Sequence, residues 1–185
     1  MVVERQRSTY LVVVHFSDGS CRRSRAFGPK KLNNRYSLEV ITTRALAPED
    51  KEQWLTLWRG YIEFYKASIP ENQFELTWSR LLDEGYNSYG IVAESEGKVL
   101  GITHYSFQTS TWAPRNYCYL EDLFVAPESR GLGLGRALID AVKAIAVAAG
   151  SSRLYWNTDS TNETARKLYN TYVNESGKVQ YRITL

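Results

Sequence analysis

Two adjacent carboxylates, Glu121 and Asp122, interrupt an otherwise aromatic and aliphatic run from Tyr117 to Val125. Eight residues on, the chain reads Arg130-Gly131-Leu132-Gly133-Leu134-Gly135. The run has the composition of a strand. Ala126–Arg130 is a short loop holding Pro127, and from Gly131 the glycines lead into a helix. Leu134, Leu138, Ala141, Ile145 and Ala148 share one stripe of that helix. Strand, glycine loop and helix, in that order, aim bare backbone N–H groups and the positive helix end at a phosphate. A plain strand-to-helix turn also uses glycines. A carboxylate in mid-strand is costly unless it has a role or a partner. By alternation Glu121 shares a face with Tyr117, Tyr119, Leu123 and Val125, while Asp122 points the other way.

The spacing of Gly131, Gly133 and Gly135 does not fit the G-x-G-x-x-G dinucleotide fingerprint, and the Gly-Lys-Ser/Thr of a P-loop is absent. What remains, Arg130-Gly131-Leu132-Gly133-Leu134-Gly135, resembles the R/Q-x-x-G-x-G/A pattern of the GNAT acyltransferases, and that resemblance implies a pyrophosphate cradle in place of a plain turn.

The elements that must hold these groups follow from periodicity. Ser37–Arg44 alternates as a first strand. Pro48 and Glu49 open a helix with Trp54, Leu55, Trp58, Tyr61, Ile62 and Tyr65 on its apolar face, and Asn72–Leu82 forms a second helix. Tyr89–Glu94 and Val99–Phe107 are strands joined through Glu96-Gly97. Gln108–Asn116 is a polar loop around Trp112 and Pro114. After the central strand and helix, Leu154–Asn157 is a short strand. Ser160-x-x-Glu163 resembles a capping box ahead of a helix carrying Ala165, Leu168, Tyr169 and Tyr172. Val179, Tyr181, Ile183 and Leu185 alternate as a last strand. The fold class expected is α+β, with a mixed, mostly antiparallel sheet flanked by helices.

A chain of 185 residues suits one domain with a sizeable core. Residues 1–35 carry eight Lys/Arg and two Asp/Glu, a net of +6; the whole chain is +3, so residues 36–185 sum to −3. The division is therefore a basic extension over residues 1–35, disordered or adding a strand through Tyr10–Phe16, and a mildly acidic domain over residues 36–185. An acidic domain favours cationic substrates over nucleic acid. No apolar run is long enough to span a membrane. Cys21 and Cys118 make no disulfide framework, and no Cys/His cluster has metal-ligand spacing. A cytoplasmic, metal-free protein is the expectation. His15 and His104 have no evident triad partner and read as structural.

The element order, with Tyr119-Leu120-Glu121-Asp122-Leu123-Phe124-Val125 followed by Arg130–Gly135, resembles the GNAT acyltransferases, most closely their spermidine/spermine acetyltransferase branch. The likeness runs over about residues 37–172 and is strongest over 117–170. It implies a three-layer acyl-CoA N-acyltransferase fold and transfer of acetyl from acetyl-CoA to an amine, without a metal and without an acyl-enzyme. Glu121 is then the base that takes the amine's proton, directly or through water; its alternative is a salt-bridged strand residue. The family's strand has a bulge here, which would let Asp122 bind the second ammonium of a diamine; an ordinary structural carboxylate is the alternative. Tyr169 matches the tyrosine that protonates the leaving thiolate, or else is a core aromatic. Reference values of about 10 for tyrosine and about 8.5 for a thiol make that transfer uphill by roughly 2 kcal/mol. The site must therefore lower the tyrosine pKa or couple the transfer to C–S cleavage.

For the cofactor, the resemblance assigns the backbone of Leu123, Phe124 and Val125 to the pantetheine, between strands that splay to admit it. Arg130 and the N–H groups from Gly131 through Leu132, Gly133, Leu134 and Gly135 to Arg136 take the pyrophosphate. Asn162 touches the pantetheine arm, caps its helix, or both. Trp112 and the aromatic stripe ending at Tyr65 are candidates for an amine pocket by cation–π contact, a helical aromatic stripe being as well explained by core packing. Three functions compete: N-acetylation of a small cationic amine (polyamine, diamine or lysine-like amino acid), acetylation of a protein or histone lysine, and non-catalytic acyl-CoA binding. The net −3 of the domain favours the first over the second, and aminoglycosides fit an acidic pocket as well. A homodimer is expected by resemblance alone.

Overall fold

The computed structural model describes residues 40–185 together with the backbone of Tyr10–Val12. The chain order is β1 (Tyr10–Val12), β2 (Ile41–Ala45), α1 (Lys51–Phe64), α2 (Glu71–Leu82), β3 (Tyr89–Ser95), β4 (Lys98–Gln108), β5 (Tyr117–Val125), α3 (Leu134–Ala148), β6 (Arg153–Trp156) and α4 (Glu163–Tyr169). Residues 1–9 and 13–39, with His15, Cys21 and the start of the expected first strand, lie outside the described residues.

The sheet is buried on both faces, which its sequence explains. In β3, Tyr89, Ile91 and Ala93 point to one side and Val92 to the other, and both sides are apolar. One face packs on α3, whose Leu134, Leu138, Ile139 and Val142 are each at most 1% exposed. Burying each is worth about 1.5–3 kcal/mol. The expected stripe stops short at its end, because Ala148 is exposed. The opposite face packs on α1 and α2 through Trp54, Leu57, Trp58, Phe74, Trp78 and Leu81. Six strands run β1 to β6 in sequence order, every pair antiparallel except β5–β6. Tyr10–Val12 of the basic extension supplies the edge strand beside β2. The β3–β4 turn is made by Glu96 and Gly97, at φ 51 and 77, as a two-residue hairpin requires.

Two expectations are corrected. Val179, Tyr181, Ile183 and Leu185 form no strand and are 74–115% exposed. Alternation supplies a face, but a strand needs a neighbour, and none of the described strands pairs with this segment. Ser160 does not cap α4; the cap is Asn162, whose Oδ1 accepts from the Ala165 N–H at 3.3 Å. Among the described residues no helix is long and apolar enough to cross a membrane, and no group of three His, Cys, Asp or Glu could hold a metal.

The sheet is clasped to the start of α1 by Arg44 of β2. Its guanidinium donates to both oxygens of Asp50, at 2.6 and 2.8 Å, and to Glu94 of β3 at 2.7 and 3.0 Å. Asp50 is 2% exposed and also accepts from the Ala47 N–H at 2.8 Å. Asp50→Ala therefore strands a buried N–H and half of a guanidinium. The expected loss is about 2–3 kcal/mol, less than for a fully buried pair because Arg44 reaches solvent. Thermal unfolding should show it as a fall of roughly 5–10 °C.

Candidate active site

The site begins with a register shift. His104 of β4 pairs with Asp122 and Tyr105 with Leu120, so Glu121 is one residue too many for its partner strand. Before this bulge Cys118 and Leu120 face α3; after it Leu123 and Val125 do. The alternation expected for Glu121 is thus broken, and Asp122 and Phe124 turn to the α1 side. Only four residue pairs join β5 to β6, ending at Leu120 and Trp156. From Glu121 to Val125 the edge of β5 away from β4 has none of the described strands beside it, the splay that the resemblance implies.

On the α1 side Asp122 meets donors that identify themselves. The Trp54 indole N–H donates to His104 Nε2 at 2.9 Å. An indole nitrogen can only donate, so Nε2 accepts and the imidazole proton is on Nδ1, 3.0 Å from Asp122 Oδ2. The Tyr61 phenol lies near Asp122; burial and then the Asp122 charge push its pKa up, keeping it protonated. His104, 3% exposed, therefore does have a carboxylate partner, contrary to the sequence reading. Trp54 and Trp58, 1% and 7% exposed, are core, and the buried indole N–H of Trp58 has no acceptor among the described residues.

Glu121 is reached by solvent, yet partial desolvation and then the Asp122 charge push its carboxyl above the usual carboxylate range. Tyr169 approaches from α4. Its ring packs on Trp156 at 5.4 Å, and burial, then the nearby Tyr65, push its phenol up to about 12. Tyr61 and Tyr65 are in edge contact at 5.0 Å. α4 packs on the α3 side, and Tyr169 lies within electrostatic reach of the α1 tyrosines where β6 leaves β5. Burial and Tyr65 thus raise the Tyr169 phenol and do not lower it.

The glycine loop has the predicted form. Gly131 and Gly133 have φ 83 and 86, a left-handed backbone that a side chain would strain. Gly133 is the N-cap residue of α3, so no side chain covers the first-turn N–H groups. A Cβ on Gly135 would lie 3.2 Å from Leu168, which lets α4 approach α3 closely. Leu132 is 38% exposed, whereas Leu134 is buried, leaving only its backbone available. Arg130 Nε donates to the Val125 carbonyl at 3.2 Å and its guanidinium lies 5.6 Å from the Phe124 ring centre. The Arg136 side chain is committed to Thr171, at 2.8 Å, and to the Tyr172 ring.

Two clefts flank the end of α1. One of about 340 Å³ lies between Gly60, Phe64, Phe124 and Arg130; the other, of about 480 Å³, lies between Tyr65, Lys66 and Asp159–Thr164 and includes Asn162. Trp112, 92% exposed at the other end of β5, is not brought to either. His104 was missed. Only a correct β4–β5 register would have paired His104 with Asp122, and the bulge hides that register from alternation.

The Acetyltransferase (GNAT) family model matches residues 52–172. The D-amino-acid N-acetyltransferase HPA3 of Saccharomyces cerevisiae is 31% identical over 156 residues, covering 83% of this chain and 94% of the relative. The thialysine N-epsilon-acetyltransferase of Caenorhabditis elegans is 29% identical over 142 residues, covering 75% and 84%. Among solved structures, AAC(6')-Iy in complex with the bisubstrate analogue CoA-S-monomethyl-acetylneamine has a TM-score of 0.68 at 18% identity, covering 78% of this chain and 98% of that one. That likeness is one of fold.

The raised Glu121 carboxyl has a consequence for stability. The unfolded chain releases this proton near pH 4.3 and the folded chain only at higher pH. The stability it lends is complete below the unfolded value and is lost as pH rises through the folded one. Glu121→Gln should therefore melt above wild type at pH 7.5, with the gap closing toward pH 4 in a series of thermal scans.

Proposed function

The chain belongs to the GNAT acetyltransferase family and is an acetyl-CoA-dependent N-acetyltransferase, and from that premise we propose that it acetylates the primary amine of a small cationic acceptor, with Glu121 as base and Tyr169 as acid. The observation that supports this reading is that the Tyr61 phenol feels Asp122, Tyr65 and Tyr169 together, with Glu121 beside Asp122 where the β5–β6 pairing ends.

The residues present fit acetyl-CoA: an unpartnered β5 edge, two left-handed glycines and an uncapped helix start lie in succession along the chain. Acetyl-CoA supplies the thioester, an activated acetyl group with a thiolate leaving group. The Leu123–Val125 backbone edge binds its amides as a neighbouring strand would, and the Gly131–Arg136 N–H groups with Arg130 bind its pyrophosphate. Of Arg136 only the backbone serves. Asn162 lines the cleft beside this path while capping α4.

An amine at neutral pH must lose a proton before it can attack. Glu121, with its affinity for a proton raised by desolvation and by Asp122, is a stronger base than an ordinary carboxylate. Asp122 is held by His104, with the Tyr61 phenol close by, which positions it next to Glu121 as a partner for a second ammonium. A phenol near 12 facing a thiol of about 8.5 makes a separate proton transfer uphill by about 5 kcal/mol. Tyr169 therefore delivers its proton as the C–S bond breaks, not before. Tyr65 lines the acceptor side of this gap.

The acceptor class is a polyamine, a diamine or a lysine-like amino acid. The net −3 of residues 36–185 supports a cation, and the named substrates of the yeast and nematode relatives support an amino acid. The reading includes a cytoplasmic homodimer, in which a second copy covers the exposed apolar tail Val179–Leu185; sedimentation of the full chain measures it.

Release of CoA should be followed with spermidine, putrescine, lysine, thialysine, a D-amino acid, a histone-tail peptide and an aminoglycoside. A rate with a small amine is expected. Activity on the peptide alone would favour protein acetylation, and silence with acetyl-CoA bound would favour a binding module. With the active acceptor, Tyr169→Phe should lower kcat by roughly 10²-fold or more while the Kd for acetyl-CoA changes little. The acid limb of kcat/KM should fall above the ordinary carboxylate range.

A further inference from the structure

Two buried polar residues stand side by side in β4, among the hydrophobic Leu100, Ile102 and Tyr105. Thr103 is 0% exposed and His104 3%. Burying a hydroxyl or an imidazole is costly unless a partner answers it. Both side chains find the same partner. Thr103 Oγ1 lies 2.7 Å from the Asp122 carbonyl, which can only accept, so the hydroxyl donates. His104 donates from Nδ1 to the Asp122 carboxylate at 3.0 Å.

The register sets the two grips on opposite faces of the sheet. Thr103 pairs with Leu123, which faces α3, and His104 pairs with Asp122, which faces α1. Asp122 is therefore held once by its main chain and once by its side chain. It directly follows Glu121, the residue without a ladder partner, where a bulge locally disrupts the backbone pairing. His104 is itself held, because the Trp54 indole donates to its other nitrogen at 2.9 Å. Turning the imidazole away would leave that buried N–H bare. Neither Thr103 nor His104 lines either cleft, so the polar atoms of both serve Asp122 and not a ligand.

Resting on the acetyltransferase reading above, we propose that Thr103 and His104 are positioning residues for the base: they staple the β5 bulge from both faces and so hold Glu121 toward the acceptor. Thr103 serves through one donated bond. His104 serves by direction, accepting at Nε2 and donating at Nδ1, and exchanges no proton with the acceptor. Removing either grip frees the bulge while leaving the Glu121 carboxylate in the chain.

Thr103→Val keeps the shape of threonine and removes the donor, and Thr103→Ser keeps the hydroxyl. His104→Leu removes both imidazole bonds, whereas the amide of His104→Gln accepts from Trp54 and donates to Asp122. In the full chain without ligand, hydrogen exchange at residues 121–123 should be faster in Thr103→Val than in wild type, with the amides of α3 unchanged. With the acceptor that gives a rate, Thr103→Val and His104→Leu should each lower kcat about tenfold. Thr103→Ser and His104→Gln should keep it near the wild-type value. Adding Thr103→Val to Glu121→Gln should lower kcat no further, since no base is left to misplace. A purely structural role would cost the same factor in both backgrounds. Should His104→Leu fail to fold, Thr103→Val carries the test. The proposal is overturned if Thr103→Val leaves exchange at the bulge unchanged, or if its effect on kcat persists in Glu121→Gln. It is overturned equally if His104→Gln is as inactive as His104→Leu, the mark of a histidine that moves a proton itself. Wild type silent on every amine would defeat the small-amine reading, and this proposal with it.

Discussion

An antiparallel ladder between β4 and β5 can accommodate Glu121 only by leaving it opposite nothing, and that single extra residue reverses the faces of everything after it. Without it Asp122 would point into the apolar layer formed by Leu138 and Val142 of α3, where a lone carboxylate is costly. With it Asp122 points at His104 and Tyr61. A bulge also bends the strand that carries it, and β5 loses its parallel neighbour from Glu121 onward. One local irregularity thus provides a partnered carboxylate, an unpartnered one beside it, and a free backbone edge.

The polar chain under the bulge runs in one direction. Trp54 donates to His104 and His104 donates to Asp122, with the Tyr61 phenol close by. Since the indole cannot accept, the imidazole tautomer is set by core packing and not by the site. Asp122 is therefore supplied with donors before any substrate arrives, while Glu121 is supplied with none and takes the electrostatic consequence in a raised pKa. Two neighbours in sequence acquire different acid–base characters because a helix on one side of the sheet answers only one of them.

The strands, the helices and the glycine loop were largely legible, because each is encoded by local periodicity and composition. The limits fall where a neighbour decides. The aromatic face of α1 reads as one stripe, but Trp54 and Trp58 are buried under the sheet while Tyr61 and Tyr65 extend past it to the site. Val179–Leu185 has the alternation of a strand and no partner to pair with. Ser160 has the spacing of a cap, yet the chain turns at Asp159–Asn162 and gives that role to Asn162. His104 looked solitary because its partner is eighteen residues away across a shifted register.

On the proposed reading, the gap between β5 and β6 serves both halves of the chemistry. Had the parallel pairing continued past Leu120 and Trp156, backbone bonds would have filled the edge of β5 and sealed the α3 side from the α1 side. Its early end leaves room for Tyr169, carried by a helix on one face, to lie within electrostatic reach of Tyr61 and Tyr65 on the other. The same enclosure raises the phenol pKa, which disfavours ionisation ahead of reaction. Transfer of a proton held that firmly to a free thiolate is uphill, so on the proposed reading it is coupled to the downhill cleavage of the C–S bond. Burial therefore ties the acid step to the moment of acyl transfer.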